Sequence, residues 1–163
     1  MGCKIRRTYT MKNKPQLKQQ LLNACHRVIN ERISLIGKNL ESLQESRNNE
    51  TKSSAGDKYE TGRAMLQIEE DNHKKQLHQA LLLSDQLQQI DPVRSADCVD
   101  RGSLVITNQL NYFISVGLGE LTLEGKSYFC VSPASPIGQK LMGQKERIRF
   151  EFNGKEVEIQ QIW

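Results

Sequence analysis

Hydrophobic positions change their period near residue 97, and that change divides the chain. From Leu17 to about Arg47, Leu22, Ile29, Ile36 and Leu43 recur every seven residues, while His26, Ile33 and Leu40 fill a second seam. This stripe is that of a helix packed lengthwise on another helix. A helix of about 30 residues would run about 45 Å, too long for a compact small domain. The polar stretch 48–57 (NNETKSSAGD) has no apolar anchor and predicts a turn. A second helical pattern then runs from about Lys58 to Ile90, where Asp91-Pro92 stops it. Its stripe is clear at Leu77, Ala80, Leu82 or Leu83, Leu87 and Ile90, and weaker at Ala64, Met65 and Ile68, before Asn72. The two helices predict an antiparallel hairpin, with an apolar seam strong at the base and thin at the tip.

After residue 97 the runs are short and β-rich: Leu104–Thr107, Leu110–Val116, Glu120–Leu123 and Ser127–Val131. Gly102, Gly117-Leu118-Gly119 and Gly125 punctuate them. Ser135-Pro136 reads as an N-cap followed by proline in the first helical position, and Gly143 as the stop of a short helix over Pro136–Met142. Two closing strands, Arg147–Phe152 and Glu156–Ile162, flank the hairpin turn Asn153-Gly154. The expected fold class is therefore α+β: a helical hairpin (coiled coil) followed by a small antiparallel sheet domain with one short helix. The expected boundaries are a basic, unstructured tail over 1–15, the hairpin over 16–92 with its tip near 48–58, and the β domain over 93–163.

Charge changes the picture less than its total suggests. The 163 residues carry a formal net charge of +4, which invites a nucleic-acid reading. Yet Lys4, Arg6, Arg7, Lys12 and Lys14 lie in residues 1–15 with no acid among them, and the remaining 18 basic residues face all 19 acidic ones. A basic tail is a different object from a basic binding face. Met11 opens a more ordinary start, so residues 1–10 read as a mis-called start of translation. The opening Met1-Gly2-Cys3 lacks the Ser or Thr at position 6 that myristoylation wants, carrying Arg6 instead. No apolar run approaches a membrane span. Cys3, Cys25, Cys98 and Cys130 are scattered, without a CxxC or a histidine at ligand spacing. They read as buried or idle thiols of a cytoplasmic protein rather than as a zinc site or disulfide framework.

Candidate chemistry is sparse. No P-loop, GxGxxG after a strand, HExxH or GxSxG is present. His26 falls on the seam, and His73 and His78 are five apart, a poor spacing for two ligands on one helix face. No catalytic group of its own is visible, and no metal or cofactor is expected to bind this chain alone. At the hairpin tip, Asp57 and Glu60, with Glu50 nearby, read in two ways. Asp57-x-x-Glu60 matches a capping box, and carboxylates at the end of a projecting rod are suited to a divalent cation. Lys52, Lys58 and Arg63 crowd these acids.

The segment Ser132-Pro133-Ala134-Ser135-Pro136-Ile137-Gly138, followed by Leu141-Met142-Gly143-Gln144-Lys145, resembles the C-terminal domain of the bacterial transcription elongation factors of the GreA/GreB family. Val99-Asp100-Arg101-Gly102-Ser103-Leu104-Val105 is similar to that domain's first strand, and Glu156–Trp163 to its end. Over the N-terminal half the resemblance rests on architecture and on Asp57-Lys58-Tyr59-Glu60-Thr61-Gly62-Arg63-Ala64. It implies an FKBP-like C-terminal domain that docks on RNA polymerase beside the secondary channel, with Ser132, Pro133, Ser135, Pro136 and Ile137 as contacts. It also implies a coiled coil that enters the channel, where tip acids (Asp57, Glu60, Glu50) help hold a second Mg²⁺ in the polymerase's own active site for cleavage of backtracked RNA. Contact with RNA or DNA would then be indirect. The tip departs from the family: aligned on Tyr59, Lys52, Ala55 and Lys58 stand where its acids would be. Ala134 stands where Asp or Asn is usual.

Two other classes remain open. One is a coiled-coil interaction module that binds another partner, self-associates, or inhibits polymerase without stimulating cleavage. The weaker is a prolyl isomerase, whose aromatic pocket would have to come from Tyr112, Phe113, Tyr128, Phe129, Phe150, Phe152 and Trp163, several of which the core needs.

Overall fold

A computed structural model describes residues 14–50 and 56–163. Two helices, α1 (Lys14–Glu50) and α2 (Asp57–Gln88), precede β1 (Leu104–Thr107), β2 (Asn111–Ile114), β3 (Gly119–Leu123), β4 (Lys126–Val131), a short α3 (Pro136–Leu141), β5 (Arg149–Phe152) and β6 (Lys155–Ile162). The fold class is α+β, as the change of period predicts. The chain falls into two compact units, one of described residues 14–25 with Gln86–Trp163, the other of His26–Asp85.

In the second unit the expected seam on α1 is present: Ile29 and Ile36 are buried, and His26, Ile33, Leu40 and Leu43 half-buried. Arg32, Leu35, Ile36 and Asn39 face Gln76, Gln79, Ala80 and Leu83 across a shared groove, which sets the helices antiparallel. Near the tip the structure corrects the reading of α2. Met65 and Ile68 are 66% and 62% exposed. The inward positions are Leu66, Glu70, His73 and Leu77, spaced by four, three and four as a seam requires. A search for apolar residues passes over this stripe because two of its members are polar. Arg47 Nη1 bonds Glu70 Oε2 at 3.1 Å, and Lys74 Nζ reaches Glu70 Oε1 at 2.6 Å. The hydrogen bond from Lys74, with Arg47 beyond it, holds the Glu70 carboxyl below the usual carboxylate range.

The first unit is built on one six-stranded sheet in the order β3-β4-β2-β1-β6-β5. Four neighbouring pairs are antiparallel, as expected. The exception is β2 with β4, which run parallel with Tyr112 beside Phe129 and Phe113 beside Cys130. The cause is the chain path: β3 folds back on β4 as a hairpin, and that hairpin returns β4 to lie beside β2. Asn153 and Gly154 both have positive φ (52° and 72°), the geometry of the tight hairpin turn their sequence predicts.

Both faces of this sheet are covered. On one, Val105, Tyr112, Ile114 and Ile159 pack with Ile137 and Leu141 of α3 and with Val99. On the other, Leu104, Phe113, Tyr128 and Cys130 alternate with them along the strands and are equally buried. The base of α1 lies against this second face. Cys25 Sγ is 3.5 Å from Cys130 Sγ, and Lys14 Nζ stands 4.9 Å from the centre of the Trp163 ring. Leu17, Lys18, Leu21, Leu22 and Cys25 are accordingly buried. α1 thus already includes Lys14 and Pro15, inside the stretch expected to be a tail, and these first described turns have a surface to bury. Lys18 keeps its ammonium satisfied by donating to the Arg94 carbonyl at 2.7 Å. Burial lowers its pKa from the ordinary lysine value, against the opposing charge of Asp91.

His73 Nδ1 is buried without a hydrogen-bond partner among the described residues. A buried polar atom left unpaired costs about 1–3 kcal/mol. His73→Leu should therefore raise the urea midpoint of unfolding by the equivalent of about 1 kcal/mol; a lower midpoint would mean that the imidazole is held by a bond worth more than its burial.

Candidate functional site

The residues singled out by sequence fall in two places. The first is the connection from β4 into α3. Ser135, in extended conformation ahead of the helix, accepts from the Gly138 amide at 3.1 Å and donates to the Ser132 carbonyl at 2.7 Å. Pro136 supplies the first helical position, where no amide is needed. Gly138 is required by space: a Cβ there would fall on the Ser132 carbonyl and lie 2.8 Å from Ser135 Oγ and 3.0 Å from the Pro133 carbonyl. The helix therefore folds back onto the strand end that precedes it.

This segment meets the other motif that carries the family resemblance. Gly143 donates to the Val99 carbonyl, and Val99 to the Gln144 carbonyl, both at 2.8 Å. The turn after Val99 is held by Asp100, which accepts from the Arg101 amide at 2.8 Å and pairs with Arg94 at 3.0 Å. Residues 99–103 and 132–144, some 30 positions apart in the chain, thus form one local structure.

Of the five expected contact residues, Ser132, Pro133 and Ser135 are half-buried and Pro136 is exposed. Ile137 is only 8% exposed and belongs to the core with Leu141. This is a correction: the helix is two turns at most, and the face that closes over the sheet takes Ile137 with it. The exposed rim is instead Ala134, Pro136, Gln139 and Lys140. Gln139 Nε2 donates to the Ala134 carbonyl at 3.1 Å. Gln139 carries no signal in sequence, and Ala134 signals only by standing where the resembling segment usually has Asp or Asn.

The second place is the hairpin tip. Lys52 and Ala55 lie outside the described residues, as do the side chains of Glu50 and Asp57 and the doubtful start over residues 1–10. Helix α1 continues to Glu50, and Gly56, with φ +104°, turns the chain into α2, its carbonyl accepting from the Tyr59 amide at 2.9 Å. Asp57 is thus the first helical residue, one place later than a capping box demands, and Glu60 falls one place beyond the box's reciprocal acid. Glu60, Lys58 and Arg63 are exposed. Among the described residues no group of three or more His, Cys, Asp or Glu side chains is placed to hold a metal ion. No described helix is long and apolar enough to cross a membrane.

No family model matches the chain, and no curated protein does. Among solved structures it is similar to the transcription factor Gfh1, over 93% of this chain and 94% of that one, at 18% identity and a TM-score of 0.32.

The connection into α3 makes a ranked prediction. Ser135→Ala removes a cap and should cost about 1 kcal/mol. Gly138→Ala forces a carbon onto backbone and should cost about 3 kcal/mol. Chemical denaturation of both variants checks the order, and equal losses would show that the close approach at Gly138 yields without effort.

Proposed function

We propose that this protein is an RNA-polymerase-binding regulator of transcription elongation, an accessory factor rather than an enzyme. In this reading the β unit docks on the polymerase through the exposed rim of the Ser132–Lys145 segment. The helical hairpin enters the secondary channel, and carboxylates at its tip act on the polymerase's own Mg²⁺ site, so that any RNA cleavage is the polymerase's chemistry.

The observation that carries the reading is the construction of the two resembling motifs as one local structure. The Ser135 cap, the side-chain-free Gly138 and the Val99–Gln144 pairing make a two-part motif whose pieces have no reason to co-occur in sequence unless they fold together. Helices of 37 and 32 residues, about 55 and 48 Å long, suit a reach into a deep channel. Contact with nascent RNA or DNA is then indirect, in keeping with near-neutral charge over residues 16–163.

A second reading is favoured by the exposed Lys58 and Arg63 beside Glu60. In it the hairpin occupies the channel without supporting cleavage, as an inhibitor or a plain interaction module.

Two measurements separate the readings. The full chain should be retained by purified core polymerase, and should speed cleavage of RNA in a backtracked complex. The double variant Asp57→Ala/Glu60→Ala should bind equally and lose that stimulation by about tenfold or more. Binding without stimulation by the wild type leaves the inhibitory reading. No binding removes polymerase as the partner.

A further inference from the structure

Two thiols that the sequence places 105 residues apart meet inside the first unit. Cys25 Sγ lies 3.5 Å from Cys130 Sγ, and each residue is buried, at 0% and 1% exposure. Cys25 belongs to the buried face of α1 with Leu21 and Leu22, and Cys130 points from β4 toward that face. Nothing in their spacing announces the pair; only the strand's alternation and the helix's buried face bring them together. Two buried thiols can be no more than small apolar fillers. The chemistry around this pair is more specific than that.

We propose that Cys25 and Cys130 form a peroxide-made disulfide that fastens the base of α1 to strand β4. The sulfurs need to close from 3.5 Å to about 2.05 Å, a movement within the reach of side-chain rotation and slight sliding of the helix. The pair is unequal. The hydrogen bond shared with Cys130, in which either thiol can donate, and the contact with Ser115 lower the Cys25 pKa from the ordinary thiol value. Cys130 is pushed the other way, by that same bond to Cys25 and by burial. Either sulfur can attack first; with Cys25 first, Cys130 is the resolving thiol, and the balance is the same with the roles exchanged.

The reaction balances with hydrogen peroxide, a molecule small enough to reach a buried pair during local opening. The Cys25 thiolate attacks one peroxide oxygen, the O–O bond breaks, and the departing hydroxide takes up the thiol proton as water, leaving Cys25 as a sulfenic acid. The Cys130 sulfur then attacks the Cys25 sulfur. The S–S bond forms as the S–O bond breaks, and hydroxide leaves with the Cys130 proton as a second water. Two thiols lose two electrons, and one peroxide becomes two waters. This inference is independent of any role at RNA polymerase.

The test treats the folded full-length protein with hydrogen peroxide, quenches in acid and counts thiols after denaturation. Two of the four thiols should disappear with a loss of about 2 Da, and peptide mapping of the wild type should join Cys25 to Cys130. Cys98→Ser should keep this loss, and Cys25→Ser or Cys130→Ser should abolish it. The oxidised protein should unfold at higher urea than the reduced, and dithiothreitol should reverse the shift. Mapping is done on the wild type, so a serine variant that folds poorly does not decide the matter. Four surviving thiols, a bridge through Cys3 or Cys98, or a sulfinic acid on Cys25 with Cys130 still a thiol would overturn the proposal.

Discussion

A sheet with two apolar faces must be covered twice, and the β unit depends on that requirement. The short helix α3 closes one face over Val105, Ile114 and Ile159. The other, carrying Leu104, Phe113 and Cys130, is closed by the first turns of α1. Those turns are thus part of the β unit's core although the sequence separates them from it by some 80 residues. The backbone shows the same dependence at the chain's end, where Trp163 exchanges both backbone hydrogen bonds with Leu104 at 2.9 Å and its ring receives Lys14. N-terminal helix and C-terminal residue are held within one core.

Much of this was legible in sequence, and the reasons differ by element. The strands were placed within a residue or two because Gly102, Gly125 and Asn153-Gly154 demand turns, and turns are local. The long helices followed from a seven-residue repeat. The parallel pairing of β2 with β4 was not legible, since it depends on where a hairpin returns and no residue marks that path. Nor was the role of residues 14–25, because a helix face that buries against a sheet and one that buries against a helix look alike in a hydropathy pattern. At the tip, Met65 and Ile68 misled by being apolar, and Glu70 and His73 by being polar.

The same reversal shapes the hairpin. Toward its base the seam is closed by Ile29, Ile36 and Ala80. Toward the tip the work passes to Arg47, Glu70 and Lys74, whose charges hold one another over a partly solvated contact. Ion pairs of this exposure add little stability, but they fix which residues face inward. A rod built this way keeps its register while leaving Met65, Ile68, Lys58 and Glu60 turned outward.

Gly138 closes the account from another direction. Its missing side chain, the cap at Ser135 and the buried Ile137 are what make the Ser132–Lys145 segment recognisable, and each answers to the folding of the β unit. The most readable part of this sequence is therefore a statement about its scaffold. Ala134, Gln139 and Lys140 stand exposed on the same segment, and there the core sets almost no demand on which residue is present.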